Sequence, residues 1–373
     1  MRIAVAHDWL VRYAGSERCV EEMLKAFPGA ELLTTIVDPS ALPEDLGAAE
    51  PSFLQRIPGA TRHHEWLLPA MPLAWRLRAP VRDVDAVVSS SHACAKAVRV
   101  VRGIPHLCYC HTPMRYAWDF ESEATRFPAL VRPLAKAGTA WFRHWDRATA
   151  ANVDAFVANS SAVAERIRRF YGRDAAVIHP PVRTDFFTPD GDPGEDFLYV
   201  GRLVSYKRPD LAVKAFEGLE HRLLVVGEGH LAPALRAIAP PNVTFLGNVD
   251  DPTLRSLYRS ARALVYPAVE DFGIAMAEAQ ACGTPVIALD LGGARDIVEH
   301  NVTGWLLTNP SVEQVRRAVS RAGRDSLDRP EIRRRAERFA SPRYRAELTA
   351  AVEQMVNTAR HRHTPARRGQ RPA

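Results

Sequence analysis

Short apolar runs of strand length alternate with segments of helical period along almost the whole chain, and the series occurs twice. The first series opens with RIAVAHDW, a small-residue turn at Tyr13 to Ser16, and a helical stretch from Glu17 to Phe27. That stretch places Val20, Met23, Leu24 and Phe27 on one face. ELLTTIVD, DAVVSSS, PHLCYC and VDAFVANSS follow as strands, and Ser161 to Tyr171 as a helix. The second series begins after residues 181–195, a segment rich in Pro and Gly. It runs DFLYVGR, HRLLVVGEG, NVTFLGNV, ALVYPAV, TPVIALD and GWLLT, with helical segments at 209–219, 231–239, 251–260, 274–281 and 292–299. Strands separated by helices predict parallel sheets. The fold class is therefore α/β, with two Rossmann-like domains facing a central cleft. Ligands in such sheets sit beyond the carboxyl ends of the strands. The glycines after the first strand do not form GxGxxG, so the usual dinucleotide fingerprint is absent.

The expected boundaries are a domain over 1–183, a linker over 184–195, a second domain over 196–341 and a helix over 342–357. A basic disordered tail over 358–373 completes the chain. The 373 residues carry a net charge of +6. The tail holds Arg360, Arg362, Arg367, Arg368 and Arg371 and no acid, which leaves +1 on the rest. Basicity is thus a property of the tail, and the sequence gives no ground for nucleic-acid binding. Cys19, Cys94, Cys108, Cys110 and Cys282 lack zinc-like spacing and read as buried free thiols, which fits a reducing cytoplasm. No stretch approaches a membrane span, and the N-terminus reads as a first strand, not a signal peptide. Residues 53–82 interleave Trp66, Leu67, Leu68, Met71, Leu73, Trp75 and Leu77 with arginines. They read either as an amphipathic segment in peripheral contact with a membrane or as a core-packing helix interrupted by Pro69 and Pro72.

The most informative stretch is EDFGIAMAE, Glu270 to Glu278. Its first glutamate falls in a strand-to-helix loop and its second on the following helix. The first N–H groups of that helix lack internal partners and favour anions. One carboxylate in the loop and one on the helix can grip two parts of an elongated, phosphate-bearing ligand. A solvated acidic loop with a surface helical Glu is the alternative. VGRLVSYKRPD adds Arg202 just past a strand and Lys207 at the approach to a helix, two cations suited to a diphosphate.

This ordered set, with VVGEGH, TFLGNVDD and GTPVIALDLGGARDIVEHNVTGWLL, closely resembles family 4 (GT4) retaining glycosyltransferases of the GT-B fold. The resemblance covers residues 1 to about 357, and Glu270 and Glu278 match the family's E-x7-E motif. HDWL, GSERCVEEM, SSSHACAKAV and CYCHTPMRYAWD resemble a bacterial subgroup of mannosyltransferases in O-antigen and exopolysaccharide assembly.

The resemblance implies that the first domain is on the acceptor side and the second binds the nucleotide-sugar. Arg202 and Lys207 would hold the donor diphosphate. Glu270 would face the hydroxyls of the transferred sugar, assisted by backbone amides at Phe272, Gly273 and Ile274. Glu278 would accept from the ribose hydroxyls. Gly227, Glu228 and Val249 would line the base, and Gly15 would approach the phosphates. His111 would lie against the donor sugar near the reacting centre, so His111 and Glu270 are the candidate catalytic residues. A structural turn role for His111 is the alternative. No metal and no cofactor are implied, and Asp250-Asp251 and Glu270-Asp271 lack the context of a metal-binding DxD. No residue stands out as a sugar-face nucleophile, which favours same-side transfer over double displacement.

The expected function is transfer of a hexose, mannose from GDP-mannose in the first instance, to a glycan or lipid-linked acceptor in cell-surface polysaccharide synthesis. The expected location is cytoplasmic, peripheral at the inner face of the membrane. The alternatives are a UDP-sugar-dependent or small-molecule glycosyltransferase, a non-catalytic sugar-nucleotide-binding protein, and a phosphorylase, for which no pyridoxal phosphate lysine is evident.

Overall fold

The computed structural model describes residues 1–119 and 132–363. The chain divides into two compact units. The first comprises Met1–Asn159, Val163–Ile178 and the chain from Arg345 on, and the second comprises Ser160–Ala162 and His179–Tyr344.

The first unit is built on a six-stranded parallel sheet. Its strands are β1 (Ile3–His7), β2 (Glu31–Leu33), β3 (Ala86–Ser91), β4 (His106–Cys110), β5 (Ala155–Ala158) and β6 (Ala175–Val177). The order across the sheet is β2-β1-β3-β4-β5-β6. β1 pairs with β3 so that His7 lies opposite Ser90. β1, β3 and β4 are buried along their whole length, their polar His7, Ser89 to Ser91 and His106 included, as in a parallel sheet covered on both faces. Helix α1 (Gly15–Ala26) follows β1. Residues 71–77 form α2, Arg132–Ala150 α3 and Ser161–Tyr171 α4.

The second unit holds β7 (Phe197–Val200), β8 (Leu223–Val226), β9 (Val243–Gly247), β10 (Leu264–Tyr266), β11 (Val286–Leu289) and β12 (Gly304–Leu307). Their order, β12-β11-β10-β7-β8-β9, is the doubly wound arrangement in which strand order reverses between β7 and β10. α5 (Pro209–Ala215), α6 (Ala232–Ile238), α7 (Asp251–Ser260) and α8 (Ile274–Ala281) connect the strands. α9 (Val312–Arg324), α10 (Arg329–Ala336) and α11 (Ser341–His363) follow. Successive strand residues feed opposite faces. Phe197, Tyr199, Val265 and Ile287 join one core cluster, whereas Leu198, Leu264, Tyr266 and Val286 join another. Each fully buried side chain of this size contributes roughly 1.5–3 kcal/mol.

Several expectations are corrected. The crossing between units falls at Ile178–His179, not within 184–195. Residues 184–195 are not a free linker: Phe187 is buried, and Arg333 donates to the carbonyls of Thr184 and Phe187. ELLTTIVD pairs in the sheet only over Glu31–Leu33, because Thr34 and Thr35 instead donate their N–H groups to Glu50 and Asp8. The expected disordered tail is helical as far as His363, and its remainder lies outside the described residues. α11 passes into the first unit after Tyr344. There Arg345 pairs with Glu22, and Arg360 with Asp85 at 3.4 Å.

The core-packing reading of 53–82 holds in part. The segment breaks into short turns ending in α2, with Leu68, Met71, Ala74 and Trp75 buried. Phe53, Ile57, Trp66, Leu73 and Leu77 remain exposed, Trp66 at 82%. No helix among the described residues is long and apolar enough to cross a membrane. All five cysteines are free and buried.

Candidate functional site

In the second unit the chemistry collects where the strand order reverses. Arg202 follows β7, Lys207 ends a short turn before α5, and Glu270 lies four residues past β10. The side chains of Lys207 and Glu270 are only 16% and 15% exposed and lie 3.0 Å apart, Nζ to Oε1. Tyr266 sits between them. Its hydroxyl accepts from Lys207 Nζ at 2.9 Å and donates to Glu270 Oε1 at 2.9 Å. Tyr199 stacks near Tyr266 with ring centroids 6.1 Å apart, and its own hydroxyl donates to the Lys207 carbonyl at 3.2 Å. Burial lowers the affinity of Lys207 for its proton, but Glu270 and its neighbours outweigh it, so the ammonium titrates above its ordinary range. Burial and the Glu270 charge push the Tyr266 phenol well up, so it remains a hydrogen-bond donor. Arg202 is exposed, with Nη2 donating to Tyr206.

The loop after Glu270 is shaped by two glycines. Gly273 has φ +100°, which disfavours any other residue, and it precedes the first residue of α8, Ile274. Gly293 packs so closely on this loop that an added Cβ would lie 2.3 Å from Phe272 Cα, and its N–H donates to the Glu270 carbonyl at 2.9 Å. Phe272 faces the core, stacking on His179, so only its backbone is available to a ligand. Glu278 is 5% exposed and accepts from Tyr258 Oη at 3.3 Å. Neither glutamate is the solvated surface residue of the alternative reading.

The residues expected around a base are less concentrated. Gly227 follows β8 and donates its N–H to Gly247 O. Glu228 is half exposed, 3.9 Å from Arg236. Val249 packs partly buried against the core.

In the first unit His111 follows β4. Its N–H donates to Ser91 O at 2.9 Å, and its carbonyl accepts from Asn159 Nδ2 at 2.9 Å. Its Nε2 lies 2.8 Å from Ser90 Oγ, and the rings of His7 and His92 lie 6.4 and 6.3 Å away. Burial, then repulsion from His92 and His7, pulls its pKa down to about 3, so the imidazole is neutral at pH 7. Asp8 accepts from the backbone N–H groups of His92, Ala93, Cys94 and Ala95, which fixes the loop after β3. Gly15 is the first residue of α1 and partly exposed. Deeper in the unit, buried Lys96 and Asp146 pair, and Trp118 and Tyr171 donate to Asp146 at 2.7 Å each.

Sequence reasoning missed Tyr266, Gly293, Ser90 and His7 as parts of these two centres. Tyr266 had a signal, a phenol inside the otherwise apolar run ALVYPAV and at the end of a fully buried strand. Among the described residues no group of three or more His, Cys, Asp or Glu is placed to hold a metal ion.

Two family models match adjacent parts of the chain. Residues 13–186 match Glycosyltransferase Family 4, and residues 185–340 match Glycosyl transferases group 1. A D-inositol 3-phosphate glycosyltransferase of Xylanimonas cellulosilytica is 36% identical over 186 residues, 41% of this chain and 45% of that protein. One from Mycobacterium bovis is 30% identical over 190 residues, 43% of this chain and 39% of that protein. The chain thus matches less than half the length of these curated relatives. Among solved structures, Anabaena HepE in complex with UDP and glucose aligns with TM-score 0.69 at 17% identity, covering 95% of this chain and 99% of that one. The lipopolysaccharide outer core galactosyltransferase WaaB gives 0.67 at 18% identity, covering 95% and 99%. At these identities the structures support the fold, two Rossmann-like units of GT-B type.

Proposed function

We infer, from a chain that belongs by both halves to the GT4-type glycosyltransferases of GT-B fold, that it transfers a hexosyl group from a nucleoside-diphosphate sugar with retention. The observation that carries this reading is the Lys207–Tyr266–Glu270 arrangement at the point of strand reversal. A cation held charged beside a carboxylate matches a ligand with phosphates at one end and sugar hydroxyls at the other. Lys207 and Arg202 compensate the charge that develops on the departing diphosphate, with the first N–H groups of α8 adding to the field. Donor phosphate draws Lys207 from Glu270 and frees the carboxylate to accept from the sugar.

Transfer then proceeds on one face of the sugar. The bond from the anomeric carbon to the diphosphate oxygen breaks, and the acceptor hydroxyl forms the new bond. Its proton passes to the departing phosphate oxygen. His111, neutral at pH 7, acts in this reading as a hydrogen-bond donor to the sugar and not as the base. Glu278 serves the ribose, and Gly15, Gly227, Glu228 and Val249 complete donor binding. No metal or cofactor is needed, because the two cations supply the charge compensation.

The subgroup resemblance of the N-terminal motifs favours GDP-mannose and a glycan or lipid-linked acceptor for cell-surface polysaccharide. The exposed Phe53, Ile57, Trp66, Leu73 and Leu77 support peripheral seating on the cytoplasmic membrane face. A second reading is favoured by the relatives named above: a UDP-sugar donor and a small phosphorylated polyol acceptor. Binding and turnover with a panel of GDP- and UDP-sugars separates the two. Preference for GDP-mannose supports the first reading and preference for UDP-sugars the second. The absence of binding to any sugar nucleotide contradicts both.

A further inference from the structure

A line of polar side chains runs through the first unit from α1 to His111, hydrogen-bonded from His7 onward and closed at the α1 end by a charge contact. Glu17 lies in the first turn of α1 and is 3% exposed. Its Oε2 accepts from the Ala14 N–H at 3.2 Å and from Ser16 Oγ at 3.0 Å. Its Oε1 faces His7 Nε2 at 3.8 Å. His7 ends β1 with no exposed surface, and its Nδ1 lies 3.0 Å from both the carbonyl oxygen and the Oγ of Ser90. Ser90 Oγ lies 2.8 Å from His111 Nε2. The four residues come from α1 and the ends of three adjacent strands, so the sheet itself aligns them.

Hydrogen-bond valence sets the direction of this line. A backbone carbonyl only accepts, so His7 Nδ1 carries a proton, which it shares between Ser90 O and Ser90 Oγ. The Ser90 hydroxyl accepts from His7 and keeps its own proton to donate, and the acceptor within reach is His111 Nε2 at 2.8 Å. That nitrogen is then unprotonated, and the proton of the neutral His111 ring resides on Nδ1. At the far end Glu17 faces Nε2 of His7. Burial raises the Glu17 pKa, but the close contact and attraction of His7 outweigh it and hold the carboxyl at about 2. His92, the other imidazole in the cluster, is tied separately to Asp8 at 3.1 Å and does not enter the line.

We propose that Glu17, His7 and Ser90 are positioning residues that lock His111 in its Nδ1–H tautomer. His111 is thereby presented as a fixed hydrogen-bond donor for a sugar oxygen. The claim rests on the sugar-side reading of His111 given above. The line performs no proton transfer of its own: it fixes which nitrogen donates and holds the ring's orientation before a ligand arrives. A simply structural histidine at a strand end would need neither a defined tautomer nor a carboxylate two side chains away.

The test is long-range proton–nitrogen NMR on the full chain labelled with nitrogen-15 histidine, with the His111 signals identified by their loss in His111→Asn. The expected result at pH 7 is a neutral His111 protonated on Nδ1 in the wild type. In Ser90→Ala the population shifts toward Nε2–H, and in Glu17→Gln the His7 signals move. With sugar-nucleotide donor, Ser90→Ala should lower kcat about tenfold and leave KM for the donor within about twofold. A wild-type His111 protonated on Nε2, or a tautomer unmoved by Ser90→Ala, overturns the positioning line. A tautomer that moves while kcat does not overturns the sugar-side role of His111 and with it the purpose assigned to the line. The wild-type spectrum decides the first point even where a variant fails to fold.

Discussion

The two units solve the same topological problem with opposite chemistry. Each is a parallel sheet whose carboxyl-end side chains gather near a reversal of strand order, between β1 and β3 in one and between β7 and β10 in the other. In the second unit the gathered groups are charged and still reach solvent, with Lys207 and Glu270 joined by Tyr266. In the first they are largely buried, and a neutral imidazole ends a line of side chains that bond to one another from His7 to His111. A charged, half-open centre can exchange its internal ion pair for a charged ligand. One whose groups bond mainly to each other has no such pair to exchange, and is suited instead to hold one group still. In the function proposed above, the second unit is the place that recognises a diphosphate and the first the place that orients a single hydrogen bond.

The largest expected effect tests the charged side. Lys207→Ala should weaken binding of the donor's nucleoside diphosphate roughly 100-fold, on the order of 3 kcal/mol, as measured by calorimetry. Tyr266→Phe removes only the bridge and should cost about tenfold or less. Equal effects would mean that the phenol is as central as the cation, and unchanged affinity in Lys207→Ala would remove that residue from the site.

The buried side should reveal itself through acid. His111 titrates at about 3 in the folded chain against an ordinary 6.5, so the unfolded state binds its proton first as pH falls. The resulting stability is complete above about 6.5 and is lost progressively toward 3. Glu17, lowered from 4.5 to about 2, adds a loss in the same direction below 4.5. The urea midpoint should therefore fall between pH 6.5 and 4, less steeply in His111→Asn. Parallel slopes in the two proteins would show that His111 is not held neutral by the fold.

The smallest expected effect concerns the exposed apolar side chains of the first unit. Cosedimentation with vesicles of anionic lipid should drop several-fold in a Trp66→Ser, Leu77→Ser double variant, with the fold unchanged by circular dichroism. No sedimentation of the wild type would remove the membrane contact.

Most of the fold was legible because parallel strands buried on both faces leave unbroken apolar runs. The bounds of the helices at 161–171, 251–260 and 274–281 were legible too. Asp250 caps one of these, and Gly273 and Gly283 bracket another. Where the backbone found partners outside the sheet, as at Thr34 and Thr35, the strand pattern misled. Within the sites, residues near each other in sequence were found, whereas those joined by the sheet were not. His7 and Ser90 are 83 positions apart, and only the register of β1 on β3 brings them together. Tyr266 lies within the best-read stretch, but its role depends on Lys207, 59 residues earlier. Gly293 looked like part of a loop, until its close approach to Phe272 tied it to the backbone that carries Glu270.

The central claim is that the half-buried Glu270, resting against Lys207, becomes the sugar-side group of a nucleotide-sugar transferase. Chromatography of the nucleoside diphosphate released from GDP- and UDP-sugars, by wild type and by Glu270→Ala, tests it most directly. The account predicts release from at least one sugar nucleotide by the wild type. In Glu270→Ala that release falls about 100-fold or more, while affinity for the free nucleoside diphosphate stays within a few-fold. Equal release by the two proteins, or none from any donor, would contradict it.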